Sequence, residues 1–338
     1  MAGHPFPAPI GGTPLPDVDF APSILFAILY ALLIPLMVYR AFHRRSRTIL
    51  LLGTIAFAVE RIVIFALRAV QSRRESSRLS GGLATYMQVS FAVGFVSRGS
   101  DLVNLLICLL VNPTYGPETY GQSPAAQTKM DGDTTFGVPS PDTPDQPKFR
   151  FWSRRFCDIM GLVFLVPLVL GVIANSQYKG AIEKADQAKK TQDLREISVV
   201  VGLVFFLVVL FATLWCKWKQ PRASKRGTII LSASCLLMIV ISIYRLGVMG
   251  ETVTSLDGPS NLNTTSAKAL FYVFHVLPEY LFSLLTFAVN IRKIFGTGPW
   301  GDWRGNDETD KEKAKREEKE RAKAAKRAAS RGAEQALS

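Results

Sequence analysis

Among the side chains that could carry charge or strong hydrogen bonds inside otherwise apolar blocks of this 338-residue sequence are Glu60, Arg61, Arg98, Asp101, Asn104 and Glu279. At the centre of a membrane-length apolar stretch a carboxylate or guanidinium costs about 2.5–3.5 kcal/mol on insertion scales, unless it meets a counter-charge, a donor or water. The chemistry open to these groups is therefore mutual pairing. Arg98, Asp101 and Asn104 recur every three residues and fall along one helix face; Arg61 and Arg68, seven apart, share another. The economical arrangement brings the second, third and seventh blocks together, with Arg61 or Arg98 paired to Glu279 and the other arginine to Asp101. A second, more basic layer of Arg68, Arg245 and His275 is expected nearer the outer side. His275, one turn before Glu279, suits either a hydrogen bond along the helix face or a proton relay. A polar layer of this kind either holds a bundle together or lines a water-accessible cavity for a lipid, ion or small-molecule ligand.

The elements that must position these groups are set by composition. The chain is 48% hydrophobic with a positive mean hydropathy of +0.19 despite a charged tail, so its apolar residues are gathered into blocks. Seven are long enough to cross a bilayer, over about 20–39, 49–70, 83–111, 156–174, 197–216, 228–248 and 269–291. The fold class is all-α, a polytopic membrane protein of seven helices. Pro278 removes one backbone bond from the seventh helix and frees a carbonyl near residue 274. Residues 1–19, rich in Pro and Gly, are expected to be a disordered lead, and the Pro-rich polar stretch 112–155 a disordered cytosolic loop. The segment 175–196 suits a short exposed helix, and 296–338 a charged, partly helical tail.

A net charge of +13 would point to nucleic acid in a soluble chain. Here it reports orientation, and no nucleic-acid partner is expected. With the N-terminus outside and the C-terminus cytosolic, the inner loops and tail hold 27 of the 40 Lys and Arg residues and the outer segments 9. The sequon Asn263-Thr264-Thr265 then falls outside, as a glycosylation candidate. Cys157 and Cys216 end their blocks beside basic residues and are candidates for palmitoylation, or else buried inert thiols. Cysteine and histidine spacing supports no zinc site, disulfide framework or other metal centre. HExxH, GxSxG and Walker motifs are missing, no lysine lies mid-block for a Schiff base, and only one aspartate lies at depth for an aspartyl protease. No catalytic residue, enzyme activity or cofactor is expected. The partners expected are the bilayer, a lipid or small-molecule ligand, and a cytosolic partner for the charged tail.

Several short motifs carry a resemblance. Gly11-Gly12-Thr13-Pro14, Arg61-Ile62 with Arg68, Val103-Asn104-Leu105, Tyr244-Arg245-x-Gly247 and Phe271-Tyr272-Val273-Phe274 with Glu279 resemble an uncharacterised family of fungal seven-helix membrane proteins with a domain of unknown function. The sixth-block arginine and the FYVF segment are more loosely similar to the fungal lipid-translocating exporter family associated with resistance to toxic sterols and sphingoid bases. The first likeness implies a fold; the second implies lipid handling. The expected function is thus lipid or small-molecule transport, or membrane-stress resistance, through a charged intramembrane core in the plasma membrane or another secretory-pathway membrane. The alternatives are a receptor-like sensor signalling through cytosolic loops and tail, and a non-catalytic scaffold.

Overall fold

The computed structural model describes residues 3–126, 136–302, 314–315 and 317–323. It contains seven helices long and apolar enough to cross a membrane: α1 Pro16–Phe42, α2 Ile49–Arg73, α3 Gly81–Thr114, α4 Pro147–Ser176, α5 Ala185–Lys219, α6 Lys225–Met249 and α7 Thr265–Ala288. Their number and order are those expected from the seven apolar blocks, and this is the architecture of a multi-pass membrane protein. The chain divides into two units, Met1–Asp302 and Trp303–Ser338. All seven helices belong to the first. In the second, the described residues 314–315 and 317–323 are helical and exposed.

Prolines shape three of the spans, because each removes the bond its N–H would make to the carbonyl four residues earlier. α1 breaks at Leu33, with Pro35 in the first turn of its second half, and α4 breaks at Phe164, ahead of Pro167. In α7 the turn before Pro278 widens into a π-helix over Tyr272–Val276. Such turns re-aim the side chains they carry; here Tyr272 and His275 both point into the protein and are buried. The helices α1 and α2 pack together, as do α4 with α5 and α5 with α6, while α3 touches α2, α4, α5 and α6. Of the seven, α3 is buried over the largest share of its apolar window.

Three segments depart from expectation. The lead is ordered over its described residues: Phe6–Pro7 (β1) pairs antiparallel with Thr252–Val253 (β2), and Phe6, Ala8, Ile10 and Thr13 are buried. Composition argued for disorder because the lead offers little apolar surface. Its backbone carbonyls, largely free of helical bonds, are what buried donors elsewhere need, and they decide the outcome. Segment 175–196 is likewise built into the fold: it completes α4, forms a short helix Tyr178–Glu183 whose Tyr178 is fully buried, and opens α5.

The stretch expected as a disordered loop contributes the 3₁₀ turn Asn112–Thr114 that ends α3, a second 3₁₀ turn Tyr120–Gln122 and the first turns of α4; residues 127–135 lie outside those described. Asp145 fastens this region. Its carboxylate accepts from Thr119 Oγ1 at 2.7 Å, Arg150 Nη1 at 3.0 Å and the Gly116 N–H at 3.1 Å. Burial acts to raise the Asp145 pKa, but the bonds from Arg150, Thr119 and Gly116 outweigh it and hold the group below its ordinary 3.8. A depressed carboxylate stabilises the folded form above its unfolded pKa, and the contribution fades as pH falls through the folded value. Amide protection factors across 112–126, corrected for the intrinsic pH dependence of exchange, should therefore fall below about pH 4 in the native sequence, and Asp145→Asn should show the lowered protection already at pH 6. Equal exchange in the two proteins at pH 6 would show that Asp145 tethers nothing.

Candidate functional site

The centre of the bundle is built on α3. Gly94 lies where α2 presses closest: a Cβ there would run into the Phe57 ring and the Arg61 guanidinium. The missing side chain lets Arg61 lie against the α3 backbone. Its Nη1 donates to Ser90 Oγ at 2.7 Å, Nε to Glu279 Oε2 at 2.8 Å, and Nη2 to Glu279 Oε1 at 3.2 Å. This is a two-pronged ion pair between fully buried partners, in the planar geometry that suits a guanidinium to a carboxylate. Arg98 approaches the same residue differently, with Nη1 donating to the Glu279 backbone carbonyl at 2.8 Å and Nη2 to Ser283 Oγ at 3.2 Å. The Phe57 ring lies between the two arginines, its centroid 4.1 Å from the Arg61 Cζ and 3.8 Å from that of Arg98. So α2, α3 and α7 meet at Glu279, with Arg61 as its ionic partner.

Two further buried arginines surround this point. Arg245 of α6 donates Nη1 to the Phe91 carbonyl at 2.9 Å, and its guanidinium stands over the Phe95 ring. Arg195 of α5 donates to the Ala8 carbonyl and to Gln88 Oε1, each at 3.3 Å. From Gln88 to Arg98 along α3 is about 15 Å at 1.5 Å per residue, and all four arginines bond within or next to that stretch. Among the described residues only Arg61 of the four has a carboxylate within ion-pair distance. The Nε atoms of Arg98, Arg195 and Arg245 and both ring nitrogens of His275 are buried and make no hydrogen bond with a protein atom there.

Nearer the lead the polar layer has different members from those expected. Arg68 is present, but Arg245 and His275 lie deeper, beside the Glu279 cluster. The layer is organised on Asp19, which accepts from Arg68 Nη2 at 2.7 Å, the Tyr272 hydroxyl at 2.9 Å and the Leu15 N–H at 2.8 Å, with Lys268 Nζ at 3.1 Å. Lys268 also donates to the carbonyls of Gly11 and Thr13, and Arg68 to that of Gly11. Gly11 and Gly12 have positive φ, +78° and +63°, and a Cβ on either would strike the Phe271 ring or the Leu262 carbonyl. The lead thus turns tightly over α7 and offers its oxygens to two buried cations.

The remaining expected site residues are placed as follows. Asp101 accepts from Thr54 Oγ1 and makes no ion pair with Arg98, so the second acid–arginine pair is not formed. Asn104 is half-buried and takes no part in the cluster. Glu60 turns the other way, half-buried between the exposed Val59 and Val63 on the outer face of α2, because it precedes the inward-facing Arg61 by one residue, or 100° of helix. His275 makes no hydrogen bond to Glu279; it sits among the rings of Phe91, Phe271 and Tyr244 at 5.4–5.9 Å. Asn263 is half-buried and its Oδ1 accepts from the Thr13 N–H at 2.9 Å, so the sequon's side chain ties down the lead. Cys157 and Cys216 are buried free thiols, which favours the inert alternative over palmitoylation. No group of three or more potential metal ligands occurs among the described residues.

Asp19, Gln88, Ser90, Gly94, Arg195 and Lys268 are the members sequence reasoning missed. Asp19, Arg195 and Lys268 stand at block edges and counted as lead or loop. The signal that could have found them is the shortage of acids for Arg68 and Arg245. No protein-family model matches the chain, and no curated protein or solved structure matches it.

Proposed function

We propose that this chain is a seven-helix membrane protein that passes an anionic lipid headgroup or a small organic anion through its arginine-lined core, with no catalytic step. The observation that supports this reading is the imbalance of the core: four buried arginines converge on one stretch of α3, and one of them has a carboxylate partner among the described residues. Cohesion alone is better served by neutral pairs, since an uncompensated buried charge costs several kcal/mol. Buried arginines with free N–H groups are suited to carboxylate or phosphate. The looser likeness to lipid-translocating exporters points the same way. The orientation proposed is the one the basic-residue bias gives, N-terminus outside and C-terminus cytosolic, in the plasma membrane or another secretory-pathway membrane. A cytosolic partner for the charged tail belongs to the same proposal.

Arg245 is the residue on which to test it, because its removal breaks no ion pair among the described residues. Arg245→Met should leave thermal stability unchanged or raise it, as replacing an unpaired buried charge by an apolar chain of similar length does. It should also lower the flux of a fluorescent anionic lipid across proteoliposomes by about tenfold or more, the loss of one charge-assisted contact. Unchanged flux with raised stability would reduce the arginines to packing elements and end this reading.

A further inference from the structure

At the end of the bundle that holds Asp145, an apolar cavity of about 310 Å³ lies between the last turns of α3 and α5 and the first turns of α4. Its size is at the small end for ligand sites. Trp152 and Phe156 of α4 face Phe211 and Trp215 of α5 across it, with Ala212 among the residues that line it. Phe149 stacks on Trp215 at 5.6 Å and 17°, which stiffens one wall. Trp152 and Phe211 are each 70% exposed, so the cavity opens sideways from two membrane-length helices. Large exposed rings in the last turns of a span are suited to the boundary between acyl chains and headgroups.

Charge at the mouth identifies the occupant. Three carboxylates beside the first turns of α4 hold an arginine, Asp145 with Arg150, Asp158 with Arg155 and Asp302 with Arg154, and Asp142 is exposed. Lys148 stands four residues before Trp152 and Lys219 four residues after Trp215, each on the face of its cavity residue and one turn nearer the helix end. Both lysines are exposed, and neither is in an ion pair among the described residues. These two lysines put positive charge one helical turn beyond the aromatic slot, with the Lys219 Nζ 4.4 Å from the centroid of the Trp218 ring.

We propose that this slot is a binding site for an anionic glycerophospholipid, one acyl chain lying between α4 and α5 and the phosphate meeting Lys148 and Lys219. A sterol would fill the slot but leave both lysines uncompensated, and a zwitterionic lipid would cancel part of their attraction with its own cation. The site lies at a distance in sequence from the arginine core and does not depend on the transport reading.

The test uses the full-length protein, delipidated in detergent, with retained lipid counted by native mass spectrometry against phosphatidylglycerol, phosphatidylcholine and cholesterol. Phosphatidylglycerol should be retained in preference to phosphatidylcholine. Its retention should fall about fivefold for each of Lys148→Gln and Lys219→Gln, while Ala212→Phe, which fills the slot, should remove it. Both lysines are exposed, so their variants keep the fold and decide the question even if Ala212→Phe does not. Equal retention of phosphatidylcholine, displacement of phosphatidylglycerol by cholesterol, or lysine variants that retain as much as the parent would each overturn the site. Transport in the lysine variants separates the two proposals: flux persisting without bound lipid leaves the arginine reading standing.

Discussion

Glu279→Gln should destabilise the protein by about 3–5 kcal/mol and leave most of it misfolded or retained before it reaches its membrane. The glutamine keeps one acceptor for Arg61 where the carboxylate offered two, and it removes the negative charge that faces the buried guanidinium. Sequence alone presents Glu279 as one member of a charged core that could serve either cohesion or transport. The structure makes it the residue on which α2 and α7 close, so activity lost in this variant would carry no mechanistic information. Arg61→Met combined with Glu279→Met removes both charges and should recover most of the loss, because an apolar pair of similar volume replaces the ion pair. The measurement is the thermal midpoint in detergent of the parent, the single and the double variant. A single variant as stable as the parent, or a double variant no better than the single, would show that the pair does not hold the bundle.

Asp19→Asn is expected to have an effect of the same size, about 3–5 kcal/mol, with a different footprint. It takes the only carboxylate within ion-pair distance from both Arg68 and Lys268, among the described residues. Those cations also hold the carbonyls of Gly11 and Thr13, so the lead should loosen together with the α1–α2–α7 contact. Hydrogen exchange should rise first in residues 3–15 and at the start of α7, while the cluster at Glu279 stays protected. Adding Lys268→Met to Asp19→Asn should restore part of the stability by removing one of the two stranded charges. Protection of the lead unaltered by Asp19→Asn would contradict this account.

How much of this was legible before the structure depended on which physical signal each residue carries. The spans were legible because hydrocarbon thickness fixes a length, and seven blocks met it. The meeting of α2, α3 and α7 is legible because Glu279 has no arginine or lysine at its own depth on α7, while Arg61 and Arg98 stand at that depth on α2 and α3. Which pair forms was not: Arg98 and Asp101 share a face of α3, yet Asp101 turns to Thr54 and Arg98 to the α7 backbone. Depth alone groups Glu60 with the core, but depth says nothing of azimuth; its neighbour Arg61 takes the inward direction. The ordering of the lead was hidden most completely. Hydropathy counts side chains, whereas residues 7–13 are held chiefly through main-chain oxygens that no composition measure records.

The seating of the lead bears on how the protein is made. Ala8 and Gly11 are made before the groups that bind them: Arg195, which binds one, and Lys268, which binds the other, follow 187 and 257 residues later. Contacts of that separation form late, since the intervening chain must be ordered before they reward it. The lead is therefore fastened in steps, Ile10 by Gln88 of α3, Ala8 by Arg195 of α5, and Gly11 and Thr13 only when Lys268 of α7 has been made.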